Sequence, residues 1–292
     1  MTVGLVLGAG GAFGWAFHLG VLQGVRDALG HEPANAQRIV GTSAGGAIAA
    51  TLLAGASSGE VLATISTPPD EADMKKMREA AAEFRKHWKR LRPVAPALTL
   101  RAWRSMPAAA AAGMLPAGVF PTAPLRRFPT PECAWPPQLW MPSVRMSDGE
   151  LVVFGRDVHV PVDDAIEATA AVPGMFQPKQ IGDERYLDGA LRSATNADLL
   201  VGEGHDIVAI SSPMTRPGRG VIRARARRQL DREVGQLCET GSRVIIVEPD
   251  ETVMEKAQGF PRTNASAGPE IVKRVAELTA TRLTGSERGS DA

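Results

Sequence analysis

The sequence predicts an α/β layered fold, and three observations carry that reading. Val3 to Leu7, VGLVL, is a short apolar run ended by glycines, the pattern of a buried parallel strand. A glycine loop follows, then a helical stretch whose apolar residues Trp15, Leu19, Leu22, Val25 and Leu29 step by three and four. Ile39-Val40 makes a second strand, and Ala44 to Leu53 a second helix entered through a sharp turn. Strand, loop, helix, strand, turn, helix within the first 55 residues is the alternation of helices layered on a sheet. Gly20 and Gly24 are expected to let the first helix lie close on that sheet.

Further along, Asp70 to Arg92 reads as one amphipathic helix. Asp70 and Asp73 suit its start, Met74, Met77, Ala81, Phe84, Trp88 and Leu91 form its stripe, and its last turns are basic. Pro93 to Pro137 has little periodicity and is expected to be an irregular cap. Leu139 to Met146 and Leu151 to Phe154 flank SDGE, a hairpin signal. Val162 to Ala171 reads as a helix and RYLDGA as a short strand ending in an aspartate. Ile207 to Ile210 and Val244 to Val247 read as buried strands, with an arginine-rich helix, Arg216 to Cys238, between them. Gly268-Pro269 opens a last helix with Ile271, Val275 and Leu278 on one face. The whole reads as a single domain over 1–284, with the cap inserted at about 66–137 and a disordered tail at 285–292.

Composition narrows the function. At 44% hydrophobic the chain can bury a sizeable core, and 33 basic against 32 acidic residues give no global attraction to nucleic acid. Cys133 and Cys238 lie in no metal-like spacing, so free thiols in a reducing compartment are expected. The start lacks the basic region and cleavage site of a signal peptide, and no apolar run reaches about 18 residues. A soluble, cytoplasmic protein without metal or cofactor is the expectation. The 70–92 helix can lie on an anionic membrane surface; packing on the core as part of the cap is the competing reading. The seven arginines from Arg216 to Arg232 lack interleaved aromatics, which argues against nucleic acid.

Chemistry concentrates in three places. Gly41-Thr42-Ser43-Ala44-Gly45 fits G-x-S-x-G, a serine on a tight strand-to-helix corner with Gly41 and Gly45 relieving the crowding. The competing reading is an ordinary serine N-cap. Gly8-Ala9-Gly10-Gly11-Ala12-Phe13-Gly14 lacks a strict G-x-G-x-x-G, and no acidic residue ends the second strand, so a dinucleotide site is disfavoured. Exposed amides at Gly10 and Gly11 would instead suit an oxyanion. For a base, Ser43, Asp188 and His205 give a triad on paper. The elbow follows only the second strand, however, and His205 reads as a loop residue that caps or is solvated. Asp188, before Gly189, is the better partner, because burial beside the hydroxyl would raise its pKa towards a useful value.

Together GLVLGAGGAFGWAFHLGVL, GTSAGG, EATAAVPGMFQP and YLDGALRSATNAD resemble the patatin-like phospholipase family, in the family's order. The resemblance covers roughly residues 3 to 210 with a gap over the cap. It implies a three-layer α/β/α fold with a mostly parallel central sheet and an inserted cap. It also implies a lipid acyl hydrolase with a Ser43/Asp188 dyad, oxyanion amides from Gly10, Gly11 and Ala12, and a lipid or ester substrate. Pro173 and Phe176 would shape the approach, and Asn196 and Asp198 would hold the loop after Asp188. The family usually has four glycines and then Arg or Lys in the first loop. Here Ala9 interrupts the glycines and Phe13 stands in the cation's place, which removes a charge beside the oxyanion and leaves the dyad intact. A catalytically silent lipid-binding protein and a nucleotide-binding module are the alternatives.

Overall fold

A computed structural model describes residues 1–67, 95–102, 107–115, 120–122, 135–216, 221–260 and 264–285, and positions 75, 79, 82, 93 and 118 singly. Five strands lie parallel in the order β3 (Leu139–Arg145), β2 (Arg38–Gly41), β1 (Val3–Leu7), β7 (Ile207–Ser211) and β8 (Arg243–Val247). Three more pair antiparallel: β4 (Leu151–Phe154) and β6 (Glu184–Asp188) with β3, and β5 (Lys179–Ile181) with β6.

Side chains alternate across this sheet, which sets the layers. Val3, Leu5 and Leu7 enter the larger core. They meet Phe17 of α1 (Gly11–Leu29), Ile48 of α2 (Ala44–Leu53), Ile65 of α3 (Ser58–Ser66) and Ile166 of α6 (Val162–Thr169). Val6, Val40, Val208 and Ile210 face the other way, onto Leu230 and Leu237 of α7 (Val221–Glu239). Beside them Val144, Met146 and Leu187 are covered by Leu98 of α4 (Pro96–Ala102) and Ala110 of α5 (Pro107–Gly113). The described part of the cap is thus helical where the sequence suggests irregular chain. Alanine-rich PAAAAAG has high helix propensity, and its proline stands at the first turn where no N–H is missed.

Gly20 and Gly24 serve a different close approach from the one expected. Cβ atoms there would fall 2.6 Å from Val275 Cβ and 2.5 Å from Thr279 Cβ, both on α9 (Gly268–Gly285). The glycines let two helices of one layer touch rather than a helix touch the sheet. α8 (Glu251–Lys256), with its Asp250 cap, follows β8. The 70–92 helix lies outside the described residues except at 75, 79 and 82, and 286–292 of the expected tail lies outside them altogether.

One feature of the sheet positions the site. Hydrogen bonds from Ile39 to Gln138 and from Met146 to Arg185 show that the even-numbered residues of β3 face both β2 and β6. The bond from Arg145 to Glu150 shows that the odd ones face β4. So β2 and β6 share one edge of β3, end to end, and between them lies a gap at Pro142. A proline there strands no donor, since the gap holds no strand to accept one. The C-terminal ends of both strands, carrying Ser43 and Asp188, converge on that gap.

Candidate active site

Ser43 stands two residues beyond β2 and caps α2, with φ 56° and ψ −119°. A non-glycine residue there costs of order 1–3 kcal/mol, so the surroundings must impose it. They do. Thr42 N–H donates to Leu7 O at 2.9 Å, and Ser43 N–H donates to Thr169 Oγ1 at 3.1 Å. The Thr169 hydroxyl donates in turn to Pro142 O at 2.6 Å, filling the gap in the β3 edge.

The flanking glycines are needed for space. A Cβ on Gly41 would sit 2.5 Å from Gly46 Cα, and one on Gly45 only 1.9 Å from Leu7 O. That carbonyl is fixed in β1, so Gly45→Ala is expected to cost about 3 kcal/mol or more. Gly59→Ala in α3, where the new methyl meets nothing nearer than Ser57 Oγ at 4.0 Å, should be neutral or stabilising. Urea midpoints of the two variants check this.

Asp188 ends β6 and is 2% exposed; Ser43 is 6% exposed. The Ser43 hydroxyl lies beside the Asp188 carboxyl and favours its ionised form. Ala190 N–H donates to Asp188 Oδ1 at 2.8 Å. Burial dominates the carboxyl's titration and pushes its pKa up to about 7, against the pull of the Ala190 amide and the Ser43 hydroxyl. Gly189 is required here as well, because its Cβ would lie 2.3 Å from Pro142 O.

The glycine loop leaves β1 beside the elbow, Leu7 being paired with Gly41. Gly10 caps α1 without any side-chain bond, and first-turn amides have no carbonyl four residues back. Gly11 has φ 55°, while a Cβ on Gly10 would strike Gly14 Cα at 2.5 Å and Pro213 Cγ at 2.6 Å. The structure thus brings Gly10, Gly11 and Ala12 to the strand end that also carries Ser43.

The segment after Asp188 braces all three parts. Ala194 O accepts from Ala9 N–H at 2.7 Å, and Thr195 O accepts from the Thr42 hydroxyl at 3.3 Å. Asn196, at φ 53°, donates to Thr42 Oγ1 at 3.1 Å and to Ser193 O at 2.8 Å. Arg192 bridges Asn196 Oδ1 and Asp198 Oδ1, each at 2.9 Å. Asn196 and Asp198 therefore hold the loop, as the motif implies. Beneath it, buried Glu233 of α7 accepts from Thr195 Oγ1 at 2.5 Å and Ala197 N–H at 2.9 Å, and burial raises its pKa.

Sequence reading leaves Thr169, Arg192, Glu233 and His18 without a role. Fully buried His18 donates from Nε2 to Gly8 O at 2.8 Å and accepts at Nδ1 from the Ser211 hydroxyl at 2.7 Å. Burial lowers its pKa to about 4, so it stays neutral and pins the start of the glycine loop. His205, expected to cap or be solvated, is buried. It lies against Gly4, before the start of β7, at the other end of the sheet from Ser43. Ala171 O accepts from Asp188 N–H at 3.0 Å, which sets the start of the AVPGMFQP segment beside Asp188, while Phe176 further along packs on Phe120.

Among the described residues no cluster of three or more His, Cys, Asp or Glu could hold a metal, and no helix is long and apolar enough to cross a membrane.

No curated protein matches the chain. Among solved structures it is similar to VipD from Legionella pneumophila, at 14% identity and a TM-score of 0.46 over 97% of this chain and 66% of that one. It is also similar to the type III effector protein ExoU, at 16% identity and a TM-score of 0.44 over 98% of this chain and 53% of that one. The chain spans less than two thirds of the length of either. A family model, Patatin-like phospholipase, matches residues 5–201, more than half of the sequence. The serine corner after β2 and the aspartate at the end of β6 lie within that span, and the chain belongs to the patatin-like phospholipase family.

Proposed function

We propose that the chain is a lipid acyl hydrolase that cleaves carboxylic esters through a Ser43 acyl-enzyme, with Asp188 as general base. The observation that carries the reading is a buried, strained serine set beside a buried carboxyl whose pKa is raised to about 7. A carboxylate of ordinary pKa is too weak a base for a hydroxyl, whereas one near 7 is matched to neutral pH.

Asp188 takes the Ser43 proton as Oγ bonds to the ester carbonyl, and the amides of Gly10, Gly11 and Ala12 hold the oxyanion. One such donor is commonly worth about 3 kcal/mol. The carbon–oxygen bond to the alcohol breaks, and the alcohol leaves with the proton from Asp188. Water then gives a proton to Asp188 as it attacks the acyl carbon, Ser43 takes that proton back, and the carboxylic acid departs. Membership of the patatin-like phospholipase family supports a lipid ester as the substrate. Peripheral association with a membrane surface would bring enzyme and lipid together.

A fluorophosphonate probe tests the reading without knowledge of the lipid. It should label Ser43, and the labelling rate should rise about tenfold per pH unit and level off above pH 7 as Asp188 loses its proton. Absence of label on Ser43 in folded protein, or a rate indifferent to pH between 5 and 8, refutes it.

A further inference from the structure

The glycine loop and the serine corner both rest on the segment 194–196, and that segment rests on a buried carboxyl. Ala194 O accepts from Ala9 N–H at 2.7 Å, which fixes the peptide leading into Gly10 and Gly11. A Cβ on Gly8 would lie 2.8 Å from Ala194 O and 3.4 Å from Thr195 Cγ2, so the start of the loop lies flat on these two residues. Thr195 O and the Asn196 side-chain amide both bond to the Thr42 hydroxyl, next to Ser43. Glu233 of α7 holds the segment from behind. Its Oε2 accepts from the Thr195 hydroxyl at 2.5 Å and from Ala197 N–H at 2.9 Å, and its Oε1 accepts from Gln229 Nε2 at 3.1 Å.

Packing alone does not ask for a carboxyl at this position. Glu233 is wholly buried and shares a face of α7 with Leu230 and Leu237, which pack against the sheet. A leucine would suit that face, and a buried carboxyl costs stability unless its oxygens are bonded. Here two of the three bonds go to the segment that carries the glycine loop and the elbow. Glu233 also lies beyond residue 201, where the family match ends, so none of the motifs that mark the dyad reports it.

We propose that Glu233 is a positioning residue for ester hydrolysis: its carboxyl sets the 194–196 backbone, which in turn sets the glycine-loop amides against the oxyanion. The inference rests on the Ser43/Asp188 reading. Glu233 touches neither substrate nor reacting atoms and acts through Thr195 and Ala194. Acylation and deacylation both pass through an oxyanion held by the same amides. A displaced loop therefore slows both alike, so kcat falls while KM, which depends on their ratio, holds. A misplacement of about 1 Å can cost on the order of a hundredfold in rate.

The test is kcat per active site for p-nitrophenyl butyrate, with sites counted by complete fluorophosphonate labelling of Ser43 so that unfolded protein drops out. Glu233→Leu keeps the apolar packing of α7 and removes the acceptor. Its kcat per site should fall about tenfold to a hundredfold, with KM within about twofold of native. Glu233→Gln, whose amide oxygen can still accept from Thr195 and Ala197, should recover most of that loss. Thr195→Val removes the other end of the same bond, and added to Glu233→Leu it should lower kcat no further. A loss of stability alone would lower the count of labelled sites and leave kcat per site untouched. Glu233→Leu within about threefold of native kcat per site, or Glu233→Gln no better than Glu233→Leu, overturns the proposal. Should Glu233→Leu fail to fold, Thr195→Val at native kcat overturns it. If the native chain turns over no ester, the hydrolase reading fails, and hydrogen exchange of residues 8–14 then judges the brace by itself. Faster exchange there in folded Thr195→Val than in the native chain keeps Glu233 as the brace of the glycine loop, and equal exchange overturns it.

Discussion

Replacing Ser43 with alanine should lower ester hydrolysis by on the order of 10⁴- to 10⁶-fold while the protein remains folded. The contacts that shape the corner explain why the two effects separate. Thr169 is held by the Ser43 backbone N–H, and the turn by Thr42 N–H and Gly45 N–H, none of which alanine removes. What disappears is the oxygen beside the Asp188 carboxyl. No neighbour replaces it: His18 is committed to Gly8 and Ser211, and His205 lies at the other end of the sheet. The oxyanion amides survive, so a residual rate above that in water is expected, with Asp188 activating water directly. Circular dichroism and p-nitrophenyl ester kinetics on the same sample check both halves. A folded Ser43→Ala protein within tenfold of native activity would end the dyad assignment.

That Ser43 and Asp188 are visible in the sequence at all follows from backbone geometry. A residue at φ 56° between neighbours with no room for a Cβ must be flanked by glycine, so Gly41 and Gly45 write the corner into a local pattern. Gly189 does the same for the end of β6. The braces have no such signature. Thr195 reaches Glu233 across 38 positions and Ser43 reaches Thr169 across 126. A threonine or glutamate with a distant partner looks like any other in its own window. Gly20 and Gly24 show the half-legible case, in which close approach is readable but the element approached, α9, lies some 250 residues away. Two elements differ in how they could be found. α3 carries a capping box, the Ser57 side chain accepting from Glu60 N–H and the Glu60 carboxylate from Ser57 N–H. β5 is three residues, KQI, too short to display any period.

The base should also cost the fold stability, and the cost should depend on pH. Asp188 has a folded pKa of about 7 against an ordinary value of 3.8, and burial is the main cause. The folded chain therefore binds a proton more tightly than the unfolded one. The stability allowed by the neutral carboxyl is fully present below about pH 4 and is lost as pH rises to about 7, beyond which this group adds no further slope. The span corresponds to about 4 kcal/mol at pH 8. Asp188→Asn carries no charge to bury. Its carbonyl can still accept from Ala190 N–H and its amide can donate to the Ser43 oxygen, so the local bonds survive. The variant should be inactive yet more stable than the native chain at pH 8 by up to about 4 kcal/mol, or on the order of 10 °C in Tm. The difference should shrink steadily as the pH is lowered and vanish near pH 4. Urea denaturation of both proteins at pH 4, 6 and 8 measures it. Equal stability at all three would mean that Asp188 sits ionised at no cost, with too low a pKa to serve Ser43 as a base. A gap that opens with pH ties the stability lost to the proton affinity that the proposed mechanism uses.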